Sequence, residues 1–326
     1  MLWIEKYRPQ SYAEILGQKS PAGRLSSYAE AGNLPHLMII GRSGVGKSCA
    51  LDIFSKQFFI EGSAENTTVL PVAVMFSQGH DYLSQNEKFS HLYQKNKSVI
   101  ANFKHIVKWH ASLQPLSAPF RIIIFDGAGD LPKDAQAALR RIMEKYSKTC
   151  RFVFVTESLA SLIDPIRSRC VPLYFLPIEE NTMRNHLKMV LEKENCTDKV
   201  SSENLEMIIL ASAGDLRKAM VWLEIMALHG VTNLADISKT ETSVLANECV
   251  SLCRNHQMTA AQKIAEDLQV QYGLSASDVL LLIRNEFGDM TPESALIFAD
   301  YDLKIRTGGN EFIQMNAFIA ELCESV

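Results

Sequence analysis

Between residues 36 and 175 the chain repeats one pattern, a short unbroken apolar run followed by a longer stretch in which apolar residues recur every three or four positions. The runs are HLMIIG (36–41), VLPVAVMF (69–76), RIIIFD (121–126), RFVFVT (151–156) and VPLYF (171–175). Because they are continuous rather than alternating, they predict strands covered on both faces, hence a mostly parallel sheet between layers of helix. From Ile178 the β-branched runs stop. Met183, His186, Leu187 and Val190 fall at helical spacing, SSENLEMIILASAG (201–214) reads as a capped helix ending at a glycine, and RKAMVWLEIMALHG (217–230) reads as another. A polar stretch, VTNLADISKTETS (231–243), precedes a third section, also helical, in which Phe312, Met315, Ile319 and Leu322 share one face of the last helix. The pattern thus predicts an α/β domain over 1–177, a helical domain over 178–236 and an all-α domain over 237–326.

Composition narrows the setting. A chain of 326 residues, 47% of them hydrophobic, can bury two or three cores. No apolar run reaches the roughly 18 residues that would span a bilayer, and MLWIEKYRPQ at the N-terminus lacks the sections of a signal peptide, so an intracellular protein without membrane association is expected. The seven cysteines are scattered without zinc-ligand spacing, which suits reduced thiols in a reducing compartment. A formal charge of -4 gives no chain-wide basic field, so any nucleic-acid contact must be local or come from assembly.

The strongest chemical signal is HLMIIGRSGVGKSCALDIF, a strand, a glycine-rich loop and a helix containing GxxxxGK[ST]. Gly41, Gly44 and Gly46 let backbone N–H groups turn inward around phosphates, Lys47 reaches the β and γ oxygens, and the Ser48 hydroxyl can take Mg²⁺. The nucleotide-binding loop therefore comprises Gly41, Arg42, Ser43, Gly44, Val45, Gly46, Lys47, Ser48 and Cys49, with ATP or ADP as the ligand. Asp126, at the end of the third strand, is placed to hold Mg²⁺ through water; the competing role for it is to cap the following turn.

The segments LWIEKYRP (2–9), ILGQ (15–18), LPHLMIIGRSGVGKS (34–48), KDAQAALRRIMEKYSKTCRF (133–152), DPIRSRC (164–170), GDLRKAM (214–220) and GGNEFIQMNAFIAEL (308–322) resemble the small subunits of replication factor C. These are AAA+ sliding-clamp loaders of archaea and eukaryotes, and only 57–118 matches poorly. The resemblance implies an AAA+ P-loop domain, a helical lid and an all-α collar. It also implies a hetero-pentameric arc that binds ATP between neighbours, opens a ring-shaped sliding clamp of the PCNA type and loads it on primer-template DNA. By the same resemblance Tyr7, Arg8 and Pro9, with Ile15, Leu16, Gly17 and Gln18, would surround the base and ribose. Arg217 would be the lid arginine on the γ-phosphate. Arg169, in the SRC triplet, would be a finger reaching the neighbouring subunit's site, where a guanidinium stabilises charge on the transferring phosphoryl group only when the subunits are docked.

Two positions depart from that pattern. Where the family usually reads Asp-Glu-Ala-Asp, this chain reads Asp126, Gly127, Ala128, Gly129, and the lost glutamate would activate the attacking water. The polar sensor after the fourth strand, commonly asparagine, aligns with Glu157, which would repel the γ-phosphate. An intact cradle beside these two losses predicts a subunit that holds ATP, hydrolyses it weakly or not at all, and lends Arg169 to a neighbour, as suits the end of the arc. The alternatives are a fully active ATPase subunit of the same loader and an autonomous AAA+ DNA motor, the latter disfavoured because no winged-helix pattern follows the lid. Lys88, Lys95, Lys97, Lys104 and Lys108 offer either phosphate contacts to DNA or a solvated helix face. Val99, Ile100 and Phe103 offer either a clamp-facing anchor or, as such clusters more often do, core. The face of the last helix packs either on other subunits or within its own domain. A eukaryotic source, the favoured one, would place the complex in the nucleus, and an archaeal source in the cytoplasm.

Overall fold

The structure, a computed structural model, describes residues 2–59, 62–229, 241–307 and 310–325. The chain divides into two compact units, Met1–Thr232 and Asn233–Val326. The expected boundary at 236/237 and most of the polar stretch 231–243 lie outside the described residues.

The first unit is built on strands β1 (Leu37–Ile40), β2 (Thr67–Pro71), β3 (Arg121–Asp126), β4 (Cys150–Thr156) and β5 (Val171–Tyr174). They form one sheet in the order β2-β3-β4-β1-β5, every neighbouring pair parallel. The unbroken apolar runs follow from this layering. Met38, Ile40, Ile123, Phe125, Phe152 and Phe154 enter one core, beneath α3 (Val99–Ser112) and α4 (Lys133–Lys145). Their alternates Leu37, Ile39, Ile122, Ile124, Val153 and Val155 enter a second, with buried residues of α1 (Lys19–Glu30) and α2 (Lys47–Phe58). Alternate side chains point to opposite faces, so a strand buried on both sides must be apolar at every position.

Two readings of the pattern change. VLPVAVMF is not one strand: β2 ends at Pro71, and Val72–Ser77 is helical, with Val72 and Met75 buried one turn apart. Proline donates no ladder hydrogen bond, which a sheet tolerates at an edge strand or strand end, and β2 is an edge strand ending there. Phe103 is fully buried, with Val99 and Ile100 packed against the same core, so this cluster is core rather than surface anchor.

Helices α5 (Glu180–Lys193), α6 (Ser202–Ser212) and α7 (Leu216–His229) complete the first unit as a lid. Ser201 caps α6, its hydroxyl accepting the Asn204 N–H at 3.2 Å. The helix ends at Ala213 and Gly214, both left-handed, and a Cβ on Gly214 would fall 2.5 Å from Pro177 Cβ, so only glycine lets lid and sheet domain meet here.

The second unit is all helical: α8 (Glu241–Arg254), α9 (Met258–Val270), α10 (Ala276–Glu286), α11 (Pro292–Thr307) and α12 (Glu311–Ser325). Met315, Phe318, Ile319 and Leu322 of α12 are buried in that unit's own core. Phe312 is not with them. It is 43% exposed in the first turn, beside Ile313 at 63%, while Glu311 accepts the Ala276 N–H at 3.1 Å. Among the described residues no helix is long and apolar enough to cross a membrane.

Two histidines tie the sheet's cores to pH. His36 Nδ1 accepts the Phe152 N–H at 3.1 Å, and burial, then Arg151, pull the ring down to about 4. Burial, then Arg121 and His91, hold His110 at about 4. Both fold-state values lie below the ordinary 6.5, so below that pH the unfolded chain binds protons that the folded chain refuses. Stability should be full above about pH 6.5 and decline toward pH 4. Melting temperatures across this window would test it; a curve whose fall is unaltered in His36→Gln and His110→Gln variants would rule these histidines out.

Candidate nucleotide site

The P-loop runs from β1 into α2, at the C-terminal edge of the sheet, where β1 lies between β4 and β5 and successive connections leave in opposite directions. In open α/β sheets this is where ligands bind. A cleft of about 720 Å³ opens there, lined by the loop, the N-terminal segment, the ends of β3 and β4, and the lid.

The loop's geometry fits an anion. Gly44 (φ +69) and Gly46 (φ +97) are left-handed, and Cβ atoms there would lie 1.6 Å from Asp215 Oδ1 and 2.9 Å from Ile15 Cγ2. Gly41 donates its N–H to Thr156 O at 3.1 Å, tying the loop to β4. No acceptor among the described residues engages the N–H groups of Ser43, Gly44, Val45 and Gly46. Orphan donors at the start of a helix favour phosphate oxygens. The Lys47 ammonium folds back to donate to Gly41 O and Arg42 O, both at 2.6 Å. Burial pulls it below the usual lysine range, with Arg217 adding to this, while Glu157, Asp126 and Asp215 oppose. Lysine must therefore turn outward to meet phosphates, and Glu157 competes with them for its charge.

Ser48, in the first turn of α2, and Asp126, at the end of β3, both line the cleft and are exposed. Asp126 accepts no hydrogen bond from the turn that follows. Among the described residues no group of three His, Cys, Asp or Glu could hold a metal. A Mg²⁺ ion here would depend on Ser48, Asp126, water and phosphate oxygens together.

At the other end of the cleft the N-terminal segment straps the lid to the P-loop helix. Trp3 donates its N–H to Glu224 on α7 at 3.0 Å, and the Tyr7 hydroxyl donates to Glu194, just past α5, at 2.6 Å. Burial and that bond push the Tyr7 phenol up to about 12. Arg8 pairs with Asp52 on α2. Tyr7, Arg8, Pro9, Ile15, Leu16, Ser43 to Cys49, Asp126 and Arg217 thus meet in one cleft. Gly17, Gln18, Gly41 and Arg42 do not line it. Gln18 is buried, its amide bonded to the Leu176 backbone at 2.7 and 3.2 Å, which joins α1 to the strand leading to the lid.

Arg169 lies outside its own chain's cleft. Its guanidinium donates to Pro165 O at 2.7 Å and Glu144 Oε1 at 2.6 Å. Lys88, Lys95, Lys97 and Lys108 are exposed and Lys104 is half-buried.

Among residues the sequence reading left unassigned, Asp130, Thr156 and His186 line the cleft, and Asp215 stands against the loop at Gly44. His186 read as part of an apolar helix face, yet it turns into the cleft and is held below the ordinary histidine range by burial and Lys193. Asp215 accepts the Lys218 N–H at 2.9 Å; its place directly before a predicted helix was the available signal.

Comparison with known proteins agrees with this architecture. The family profile described as "DNA polymerase III, delta subunit" matches residues 17–179, and that described as "Replication factor C C-terminal domain" matches residues 242–321. The replication factor C small subunit of Archaeoglobus fulgidus is 31% identical over 332 residues, covering 98% of this chain and 97% of that protein. Its counterpart from Methanothermobacter thermautotrophicus is 30% identical over 336 residues, covering 99% and 97%. Among solved structures, Aeropyrum pernix Orc1 in complex with DNA aligns with a TM-score of 0.54 at 15% identity, over 97% of this chain and 84% of that one. The Thermotoga maritima RuvB branch-migration motor aligns with 0.51 at 15%, over 84% of each. These two likenesses show the AAA+ fold alone.

Proposed function

The chain belongs to the replication factor C small-subunit family, and from that premise we infer that it is an ATP-binding subunit of a clamp loader whose own hydrolysis is weak or absent. It works within a hetero-pentamer, helps open a PCNA-type sliding clamp and load it on primer-template DNA, and donates Arg169 to a neighbouring site. One juxtaposition carries this reading: a glycine cradle with unpaired N–H donors and Lys47 faces a strand end where Gly127 stands and an adjacent one where Glu157 stands.

Each residue's part follows from its place. The loop N–H groups and Lys47 hold the β and γ phosphates, Ser48 and Asp126 hold Mg²⁺, and Arg217 on the lid reports the γ-phosphate. Magnesium, when bound, neutralises charge on the phosphate oxygens. Tyr7, Pro9, Ile15 and Leu16 supply an apolar wall for base and ribose. With no glutamate at 127 the attacking water lacks its usual base, which costs about 10²- to 10⁴-fold in rate. The compared relatives come from archaea, which supports the cytoplasmic placement over the nuclear one.

Equilibrium binding of radiolabelled ATP by the isolated chain, measured beside phosphate release, tests the reading. Binding that Lys47→Ala abolishes, with turnover near background, is the expected result. Rapid turnover lost on Lys47→Ala would instead establish an active ATPase subunit.

A further inference from the structure

The cleft lacks a carboxylate on residue 127, but the fold brings another to the same spot. Gly127 takes φ +71, and the turn it opens is closed by the Asp130 N–H bonding to Gly127 O at 3.0 Å. This folds Asp130 back against the strand end. A Cβ built on Gly127 would lie 3.4 Å from Asp130 Oδ2, within the radius that a glutamate's carboxylate oxygens at 127 would sweep. Asp130 lines the cleft together with Lys47, Asp126 and Thr156.

Resting on the weak-hydrolysis reading above, we propose that Asp130 is the general base for whatever turnover this chain retains. As the water oxygen bonds to the γ-phosphorus, Asp130 accepts one of the water's protons. The bond from that phosphorus to the bridging oxygen breaks, and its electron pair leaves with ADP. The proton then passes to the released phosphate or to solvent, restoring the carboxylate.

Glu157 is the competing acid, and its surroundings differ. Glu157, with Asp126, acts on the Lys47 ammonium, so its charge is already engaged there. No hydrogen bond or ion pair among the described residues engages the Asp130 carboxylate. Gly129 adds no side chain from the same turn; its Cβ direction leads onto Thr156 Oγ1 and Ser161 Oγ, each at 3.3 Å. The carboxylate is therefore open to the cleft and unneutralised. It is one methylene shorter than glutamate and stands on a turn, so its hold on the water is poorer, and this accounts for slow rather than normal hydrolysis.

Asp130→Asn in the full chain, alone and in its complex, provides the test, read by single-turnover phosphate release and by affinity for a non-hydrolysable ATP analogue. The residual rate should fall about 10²-fold with analogue affinity within about twofold of the wild type. Asp130→Glu should retain measurable turnover. An unchanged rate in Asp130→Asn would overturn the assignment, as would a loss of analogue binding as large as the loss of rate. So would a wild-type chain that binds the analogue but never releases phosphate, an outcome that leaves the ATP-binding reading intact. Failure of the wild type to bind the analogue would remove both.

Discussion

Arg169→Ala in the assembled complex is expected to lower ATP hydrolysis at the adjoining subunit's site by about 10³-fold or more, with the variant's own nucleotide affinity unchanged. Arg169 cannot serve its own chain: it does not line that cleft, and its guanidinium is held on Pro165 O and Glu144. That hold is a loose one, since the Arg169 side chain is 31% exposed and that of Glu144 49%. An ion pair so open to water adds little to folding, so the isolated variant should melt close to the wild type. The same openness lets a partner's triphosphate compete for the guanidinium on docking. Arg169→Lys should rescue poorly, because an ammonium lacks the planar fork that spans two phosphate oxygens. Phosphate release by the complex with clamp and DNA, beside a melting curve of the isolated variant, checks the prediction. Undiminished release would refute the finger; a large drop in melting temperature would show a structural role instead.

Parts of the molecule governed by short-range patterns were legible in the sequence. RIIIFD coincides with β3 from Arg121 to Asp126, because burial on both faces forces an unbroken run. The P-loop was legible because its function is a backbone conformation that only glycines at 44 and 46 permit. What stayed hidden depends on contacts between distant segments. Nothing local in VLPVAVMF separates a long strand from a strand that stops at Pro71 and turns into helix; the sheet's edge decides that. Phe312 carries the right helical phase for its face, yet sits in a first turn where that unit's core has ended. His186 follows an apolar period, and that period does not show that it lines the cleft. Asp130 could be counted as a turn residue, but its carboxylate's approach to position 127 follows from a left-handed Gly127, which the missing glutamate disguised as a simple loss. The resemblance to replication factor C supplied what no local pattern could, the trans role proposed for Arg169.

A single methyl group on Gly44 should weaken nucleotide binding by about 10- to 700-fold. Two costs combine. An alanine held at φ +69 pays about 1–2 kcal/mol for a left-handed backbone. Its Cβ would also fall 1.6 Å from Asp215 Oδ1, so the carboxylate must leave the Lys218 N–H it accepts at 2.9 Å. Loss of such a cap costs about 0.5–2 kcal/mol, and it loosens the start of α7, the turn that carries Arg217 into the cleft. At about 1.4 kcal/mol per decade the sum gives the stated range. The two costs separate experimentally. Asp215→Ala removes the obstacle but not the strain, so Gly44→Ala/Asp215→Ala should bind an ATP analogue more tightly than the sum of the single losses predicts. Strict additivity would mean that Asp215 yields freely, and wild-type affinity in Gly44→Ala would show that the loop opens away from the lid before phosphate enters.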